Sequence, residues 1–323
     1  MVTTSPNTPV VGAVQAVTMG VSDLDFNLRL YRDAMKMVEE SRHALSDSLR
    51  RAWQLPEGVT GELVELSCAG YPMGRVRLAH FEGLEQVLVR SHTKDSALDV
   101  GPKAIDFYVR DPITHAMAIY GELGLKARAA PVTHTLGTFV SEELTYIGPD
   151  QCSILLMVGH VHAPTDLRPS WTEGDFSEVA TLSIVSSDLG ETRRFYADML
   201  GLEESAQLQT GPEDQAGVAT LTGTPGGEVN WKIFKGQDEP SGKILVLNFS
   251  APGRRLTDRM KPGNLGFSMM THMVSDIGAL HERLEADGYI IVTPPAEVDV
   301  AGDARRIMLV KGPNEEMLEF VER

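Results

Sequence analysis

Cysteine is nearly absent: Cys68 and Cys152 are the two in 323 residues. Two thiols cannot build a disulfide framework. Both sit in apolar strand-like runs, so buried free thiols are expected, which fits a cytoplasmic location. Basic residues are also scarce, 29 Lys and Arg against 45 Asp and Glu, for a net charge of −16. With no Lys/Arg cluster there is no face for a polyanion, which argues against nucleic acid as a partner. The pairs Arg254–Arg255 and Arg305–Arg306 read as solvated surface. The chain has no apolar run of about 18 residues, so no helical membrane span and no membrane partner are expected. The opening MVTTSPNTPVVGAV lacks the basic region and apolar core of a secretory signal and reads as a flexible lead-in over 1–10. What remains, 42% hydrophobic and 23% charged, is the balance of a globular protein with room for two domains.

Four stretches follow one plan: AVTMGVSDLDFNLRLYRDAMKM from 16, AIDFYVRDPITHAMAIYGELGL from 104, TLSIVSSDLGETRRFYADMLGLEE from 181 and MMTHMVSDIGALHERLEADGY from 269. Each alternates like a strand, reaches an Asp, and turns into an amphipathic helix. The four Asp residues, Asp23, Asp111, Asp188 and Asp276, suit helix N-caps, where a carboxylate accepts from free backbone N–H groups and meets the positive end of the helix dipole. Asp188 lies 165 residues after Asp23, and Asp276 lies 165 after Asp111. That equality predicts a doubled two-unit domain, 11–160 and 176–323, around a Pro-rich polar linker at 161–175.

Strand-like segments follow each helix, so every unit reads strand, helix, strand, strand, strand. In unit three they are SAQLQTG, GVATLTG and EVNWKIFKG. Unit one carries an insert, 36–58, with apolar residues at helical spacing and Trp53 and Leu55 ahead of a Pro-Glu-Gly stop. It fits a lid with an aromatic wall, a cover for a sheet edge, or a dimer contact.

Val185 to Leu202, with the turns Gly148-Pro149-Asp150 and Gly312-Pro313-Asn314 ahead of a last strand, resembles the vicinal oxygen chelate superfamily of glyoxalase I, bleomycin-resistance proteins and extradiol dioxygenases. The resemblance extends over nearly the whole chain. It implies an α+β fold of four βαβββ modules paired into two open, cup-like mixed sheets. It also implies where a divalent metal would be held: on a first strand seven residues before the capping Asp, and on a last strand about six residues after the Pro of the turn. His, Gln and Glu are the usual ligands there. In this chain the first-strand positions are Ala16, Ala104, Thr181 and Met269, and the last-strand positions are approximately Arg77, Leu155, Asn230 and Glu319. Glu319 alone fits, and Arg77 would repel a cation, so no metal or other cofactor is expected. A divalent ion held by displaced ligands is the alternative. A one-residue register slip would turn Gln15 inward in unit one and Ala180 inward in unit three.

Strand parity groups the remaining candidates. Thr18, Asp106 and Tyr108 share the face of the empty ligand positions, with Arg77 opposite. Asp106 paired with Arg77 would have a lowered pKa, and Tyr108 would offer a proton. Glu319 is expected to face Thr181, Ser183 and Thr271 in a cup lined by Met269, Met273 and Met317, as a lone carboxylate with a raised pKa and the strength of a general base. The catalytic candidates are thus Glu319, Asp106, Tyr108 and Arg77, and the substrate-binding candidates are Thr18, Thr181, Ser183, Met269, Thr271 and Trp53. Alternation points His80 and His272 away from the cups. His134, His160 and His162 fall in loops or at strand ends. The expected function is metal-independent acid–base chemistry, of isomerase or lyase type, on a small hydrophobic or aromatic oxygenated metabolite. A metal-dependent dioxygenase or lyase and a small-molecule sequestration protein are the alternatives, and a homodimer stays open.

Overall fold

The computed structural model describes residues 9–68, 71–91, 97–136, 139–161, 171–209, 212–224, 228–237 and 239–323. Unit one runs β1 (Val11–Gly20), α1 (Leu24–Leu28, continued by a π-helical turn, Arg29–Ala34), β2 (Val38–Ala44), α2 (Asp47–Ala52), β3 (Thr60–Ser67) and β4 (Arg75–Glu82). Unit two is β5 (Gly101–Val109), α3 (Ile113–Glu122), β6 (Lys126–Ala127), β7 (Val132–Leu136), β8 (Phe139–Ile147) and β9 (Ser153–Val161). Unit three is β10 (Phe176–Val185), α4 (Leu189–Arg193, with a π-helical continuation, Arg194–Met199), β11 (Glu203–Gln209), α5 (Pro212–Thr222), β12 (Val229–Lys235) and β13 (Lys243–Phe249). Unit four is β14 (Gly266–Val274), α6 (Ile277–Ala286), β15 (Ile290–Val300), β16 (Asp303–Lys311) and β17 (Met317–Glu322). No helix among the described residues is long and apolar enough to cross a membrane.

Three of the four capping residues act as the sequence suggests. The side chains of Asp23, Asp188 and Asp276 accept from the backbone N–H of Phe26, Glu191 and Ala279 at 2.8, 2.9 and 2.8 Å. Asp111 does not: Pro112 takes the N-cap position of α3, with no side-chain cap bond. Two local assignments also change. GVATLT in unit three lies in α5 rather than a strand, because a helical lid interrupts the unit there. The first half of the 36–58 insert is strand β2, and only 47–52 is α-helix.

The sheets interleave the units. One has the order β15-β16-β17-β14-β1-β4-β3-β2 and the other β11-β12-β13-β10-β5-β9-β8-β6, with β7 paired to β8. Unit one therefore shares a sheet with unit four, and unit two with unit three. This replaces the expectation that consecutive units pair. Each of the segments 11–160 and 176–323 supplies half of both sheets, because β1 pairs antiparallel with β14 and β5 with β10.

The two sheets lock reciprocally. The turn before β4 places Gly74 against β10, where Val179 N–H donates to its carbonyl at 2.9 Å. The turn before β13 places Gly242 against β1, where Val14 N–H donates to its carbonyl at 3.1 Å. Both glycines have positive φ, +62° and +65°, and a Cβ would meet the Val179 or Val14 carbonyl oxygen at 2.4 or 2.2 Å. Only glycine fits either position. Bulges in β1 and β10 fall at these same residues. One continuous apolar core, including Val17, Tyr31, Phe107, Phe176, Phe195 and Phe320, joins the helix-bearing faces of both sheets. The cups are the opposite faces.

Candidate functional site

The cup of units one and four is built around an arginine. Register places Thr18 on β1 opposite Arg77 on β4, and Thr271 on β14 opposite Glu319 on β17. Arg77 Nη1 donates to Glu319 Oε2 at 2.7 Å, and Thr271 Oγ1 donates to the same oxygen at 2.9 Å. Trp53, delivered by α2 from the insert, donates its indole N–H to Glu319 Oε1 at 2.9 Å. Arg77 also reaches Glu65 Oε2 at 3.5 Å, and Arg75 donates to Glu65 Oε1 at 2.5 Å. Burial works against the charge of Arg77, but Glu319 and Glu65 outweigh it and raise its pKa. Burial pulls Glu65 up, but Arg77 and Arg75 outweigh that and hold it below the usual carboxylate value. Every ion in the network has a partner, the condition for tolerating buried charge. The cavity above it is about 270 Å³, with Leu49, Trp53, Leu63 and Ile307 as apolar walls and Gln15 beside the charges.

The cup of units two and three is smaller, about 70 Å³, and more apolar, walled by Leu155, Val218, Leu221, Leu245 and Leu247. Helix α5 covers it as α2 covers the other, since both are inserted between the second and third strands of an odd-numbered unit. Its polar groups are incompletely partnered. Asp106 Oδ2 accepts from Ser183 at 3.3 Å. Among the described residues, Asp106 Oδ1, His134 Nε2, Thr145 Oγ1 and Trp231 Nε1 are buried without a hydrogen bond. A buried polar atom left in this state costs about 1–3 kcal/mol. Burial pushes the Asp106 carboxyl well above its ordinary value and the Glu143 charge pushes it further, against Ser183 and Lys243. Burial also raises Glu143, against the Ser141 hydroxyl at 2.6 Å and His134.

The sequence candidates divide between the two cups. Glu319, Arg77, Thr271 and Trp53 come together. Thr18 is buried on the strand beside Arg77, and Met269 packs in the apolar cluster that contains Trp53. Thr181 and Ser183 lie on β10 opposite Asp106 and Ala104, in the second cup and away from Glu319. Tyr108 packs with Met157 and Ala180. The expected Asp106–Arg77 pair is not formed, because interleaving puts the two residues in different sheets. The Asp106 pKa is accordingly raised rather than lowered. Glu319 is not a lone carboxylate but the partner of Arg77. Asn230 is on β12 and not on the last strand of unit three. On that strand, β13, Leu245 stands opposite Ser183.

The bulge in β1 brings Gln15 into the first cup. His272 is on the helix side, its Nδ1 2.9 Å from the Gly12 carbonyl and its ring stacked on Phe320. His80 contacts the Val21 carbonyl at 3.0 Å. His160 is exposed at the end of β9, and His162 lies outside the described residues, as do 1–8 of the expected flexible N-terminus and 162–170 of the expected linker. Sequence reasoning missed Glu143, Trp231 and the placement of His134. The available signal was alternation in SEELTYI, which puts Ser141, Glu143 and Thr145 on one face of β8.

A divalent ion of the kind implied by the resemblance does not fit these residues. No group of three or more His, Cys, Asp or Glu gathers among the described residues. In the first cup a guanidinium already sits on the carboxylate that would have to ligate the ion. In the second, the positions on the last strands are Leu155 and Leu245.

Comparison with known proteins agrees with this architecture. Residues 178–320 match the family model described as the Glyoxalase/Bleomycin resistance protein/Dioxygenase superfamily. Among solved structures, glyoxalase I from Zea mays is similar at TM-score 0.63 and 13% identity, with 97% of this chain and 93% of that chain covered. A putative dioxygenase from Bacillus subtilis is similar at TM-score 0.59 and 11% identity, covering 97% and 86%. At such identities the likeness is one of fold. No curated protein matches the chain.

Proposed function

We propose, from the premise that this chain belongs through residues 178–320 to the glyoxalase, bleomycin resistance protein and dioxygenase superfamily, that it is an enzyme moving a proton next to a carbonyl, as an isomerase or lyase, without a divalent ion. The substrate is a small, mainly apolar oxygenated molecule held in the cup of units one and four. The observation that carries this reading is the contact of Arg77 with Glu319 at 2.7 Å beside a cavity that is apolar on one side, along Leu49, Trp53, Leu63 and Ile307, and polar on the other.

Glu319 is the base and Arg77 the oxyanion partner. The Glu319 carboxyl group is held by Trp53, Thr271 and Arg77. When Glu319 takes a proton from the carbon beside the carbonyl, the C–H electron pair moves toward the carbonyl oxygen. The new carboxylic acid holds Arg77 less strongly, so the guanidinium turns to the developing oxyanion. A preorganised cation aimed at developing charge is the largest single contribution in many such sites. Return of the proton to a neighbouring carbon completes an isomerisation, and expulsion of a leaving group completes an elimination. Glu65 keeps Arg77 in place while its partner changes. A cavity of about 270 Å³ lies near the lower bound, about 300 Å³, of small-molecule sites.

The test is solvent deuterium exchange of a panel of small aliphatic and aryl ketones, followed by NMR. Glu319→Gln and Arg77→Gln should each slow exchange by about a hundredfold or more, the size expected for losing a general base or an oxyanion donor. Wild-type exchange rates in both variants would refute the assignment.

A further inference from the structure

We infer that the cup of units two and three is a second, separate binding site, and that it takes a small uncharged molecule, mainly apolar, with a carbonyl or hydroxyl oxygen. The inference starts from where the unpartnered atoms lie. Asp106 Oδ1, His134 Nε2, Thr145 Oγ1 and Trp231 Nε1 come from four strands, β5, β7, β8 and β12; His134, Thr145 and Trp231 line this one cavity, and Asp106 is joined to it through Ser183, which also lines it. Asp106, His134 and Thr145 are 3%, 4% and 4% exposed, so bulk water does not satisfy them. The first cup differs in degree: Thr18 Oγ1 and Arg75 Nε lack a hydrogen bond there, but both oxygens of its central carboxylate, Glu319, have partners within the protein. A folded chain pairs its buried polar groups unless something else completes them.

The chemistry of the four atoms sets the ligand class. An indole N–H only donates, so the ligand must offer an acceptor. Thr145 and His134 accept or donate. Burial raises the pKa of both Asp106 and Glu143 and so favours their protonated forms, in which a carboxyl both donates and accepts. An anionic ligand would meet two carboxyls, and the one amine in the lining, Lys103, already donates to the Ala97 carbonyl and has its charge opposed by burial. A cationic ligand would meet that amine and would need carboxyls whose ionisation burial opposes. Leu155, Leu245 and Leu247 from the sheet and Val218 and Leu221 from α5 leave room for a compact apolar body, and the cavity of about 70 Å³ restricts it to a few heavy atoms with the lid where it stands. The lid is part of the plan of the fold, since α5 occupies in unit three the position α2 occupies in unit one.

The probes are acetone and 2-propanol, with acetate and isopropylammonium as the charged counterparts. The full chain carries Trp53, Trp171 and Trp231, so ¹⁵N-labelled tryptophan gives a separate indole N–H signal for each cup. Acetone or 2-propanol should shift the Trp231 signal saturably in the millimolar range, typical of a ligand of so few atoms, on the order of 10 mM, while Trp53 stays still. Thr145→Val, which keeps shape and removes the hydroxyl, should weaken binding by roughly fivefold to tenfold, the worth of one hydrogen bond. Leu221→Phe, which fills the cup from the lid, should abolish it and serves if Thr145→Val fails to fold. The inference is overturned if neither neutral probe shifts Trp231, if Trp53 moves in its place, if either charged probe binds more tightly than both neutral ones, or if binding survives Leu221→Phe. It does not depend on the chemistry proposed for the other cup, whose failure would leave the Trp231 result unchanged.

Discussion

Arg77 and Glu319 are 242 residues apart in sequence and meet at 2.7 Å in the floor of one cup. The contact joins the last strand of unit one to the last strand of unit four, and it forms only because those units share a sheet. Their side chains are 17% and 3% exposed, so the pair is nearly dry. Removing one member of a buried pair leaves the other uncompensated, which costs about 3–5 kcal/mol. Arg77→Met is expected to lose stability in that range, and Glu319→Leu likewise. The double variant should lose clearly less than the sum. Urea unfolding of the four proteins checks this: additive losses would mean that the pair is not coupled.

Trp53 links the lid to this ion pair through one N–H. Trp53→Phe keeps most of the ring in its apolar cluster and deletes the bond to Glu319 Oε1. A hydrogen bond to a charged group is worth about 1.5–3 kcal/mol, so a loss in that range is expected. Trp53→Ala should cost more, because a large buried side chain is also removed, typically about 3–5 kcal/mol. If Phe and Ala prove equally damaging, the N–H rather than the ring carries the effect, and the lid owes little to packing.

Much of this arrangement was legible in the sequence, and the reasons for the remainder are physical. The Asp23, Asp188 and Asp276 caps and the strand–helix periodicity are local, so the residues encode them directly. Glu319 was found because its turn, Gly312-Pro313-Asn314, is local too. Pairing of unit one with unit four is not local: alternation shows which face of β1 is buried but not which strand lies beside it. A pairing of consecutive units would put Asp106 beside Arg77 and Thr181 and Ser183 beside Glu319, and the interleaved order separates both sets. Gln15 was displaced by a bulge that depends on the Gly242 carbonyl, some 230 residues away. GVATLT looked like a strand because its β-branched residues fit one, yet tertiary placement as a lid overrode that preference.

Asp106 and Glu143 make stability depend on pH in a direction opposite to the usual carboxylate. Both carboxyls are raised in the folded protein, mainly by burial. The folded state therefore holds protons that the unfolded state releases. Their contribution is complete below the ordinary values, about 4, and is lost as pH rises toward the folded values. Asp106→Asn should accordingly melt higher than wild type near pH 8, with the gain shrinking toward pH 4. Thermal unfolding of the two proteins across that range decides it, and a gain that grew toward acid would contradict the raised pKa.

His272 adds an acid-side slope of the usual sign. Its ring is fully buried against Phe320, and desolvation lowers its pKa to about 4, against a small upward pull from the Gly12 carbonyl. An unfolded histidine titrates near 6.5. Between those values the unfolded chain binds a proton that the folded chain refuses, so stability falls as pH drops from about 6.5 to about 4. A gap of this size is worth roughly 3–4 kcal/mol in total at about 1.4 kcal/mol per unit. His272→Gln should flatten the slope in that window while leaving the Asp106 dependence above it. A wild-type slope that survives the substitution would place the titrating group elsewhere.

The interleaved sheets make a prediction about the chain as a whole. A break in the segment 162–170 leaves one piece with units one and two and another with units three and four. In the first piece β1 has lost β14 and β5 has lost β10, so two central strands become unpaired edges. Unpaired edges of this length recruit other chains. The pieces also lose the Gly74–Val179 and Gly242–Val14 contacts, each of which crosses the break. Either piece alone is therefore expected to aggregate or to pair with itself, while co-expression should give a one-to-one complex with the unfolding midpoint close to that of the intact chain. Had consecutive units shared a sheet, each piece would contain a complete cup and fold as a stable monomer, so size-exclusion chromatography of the separately purified pieces distinguishes the two arrangements.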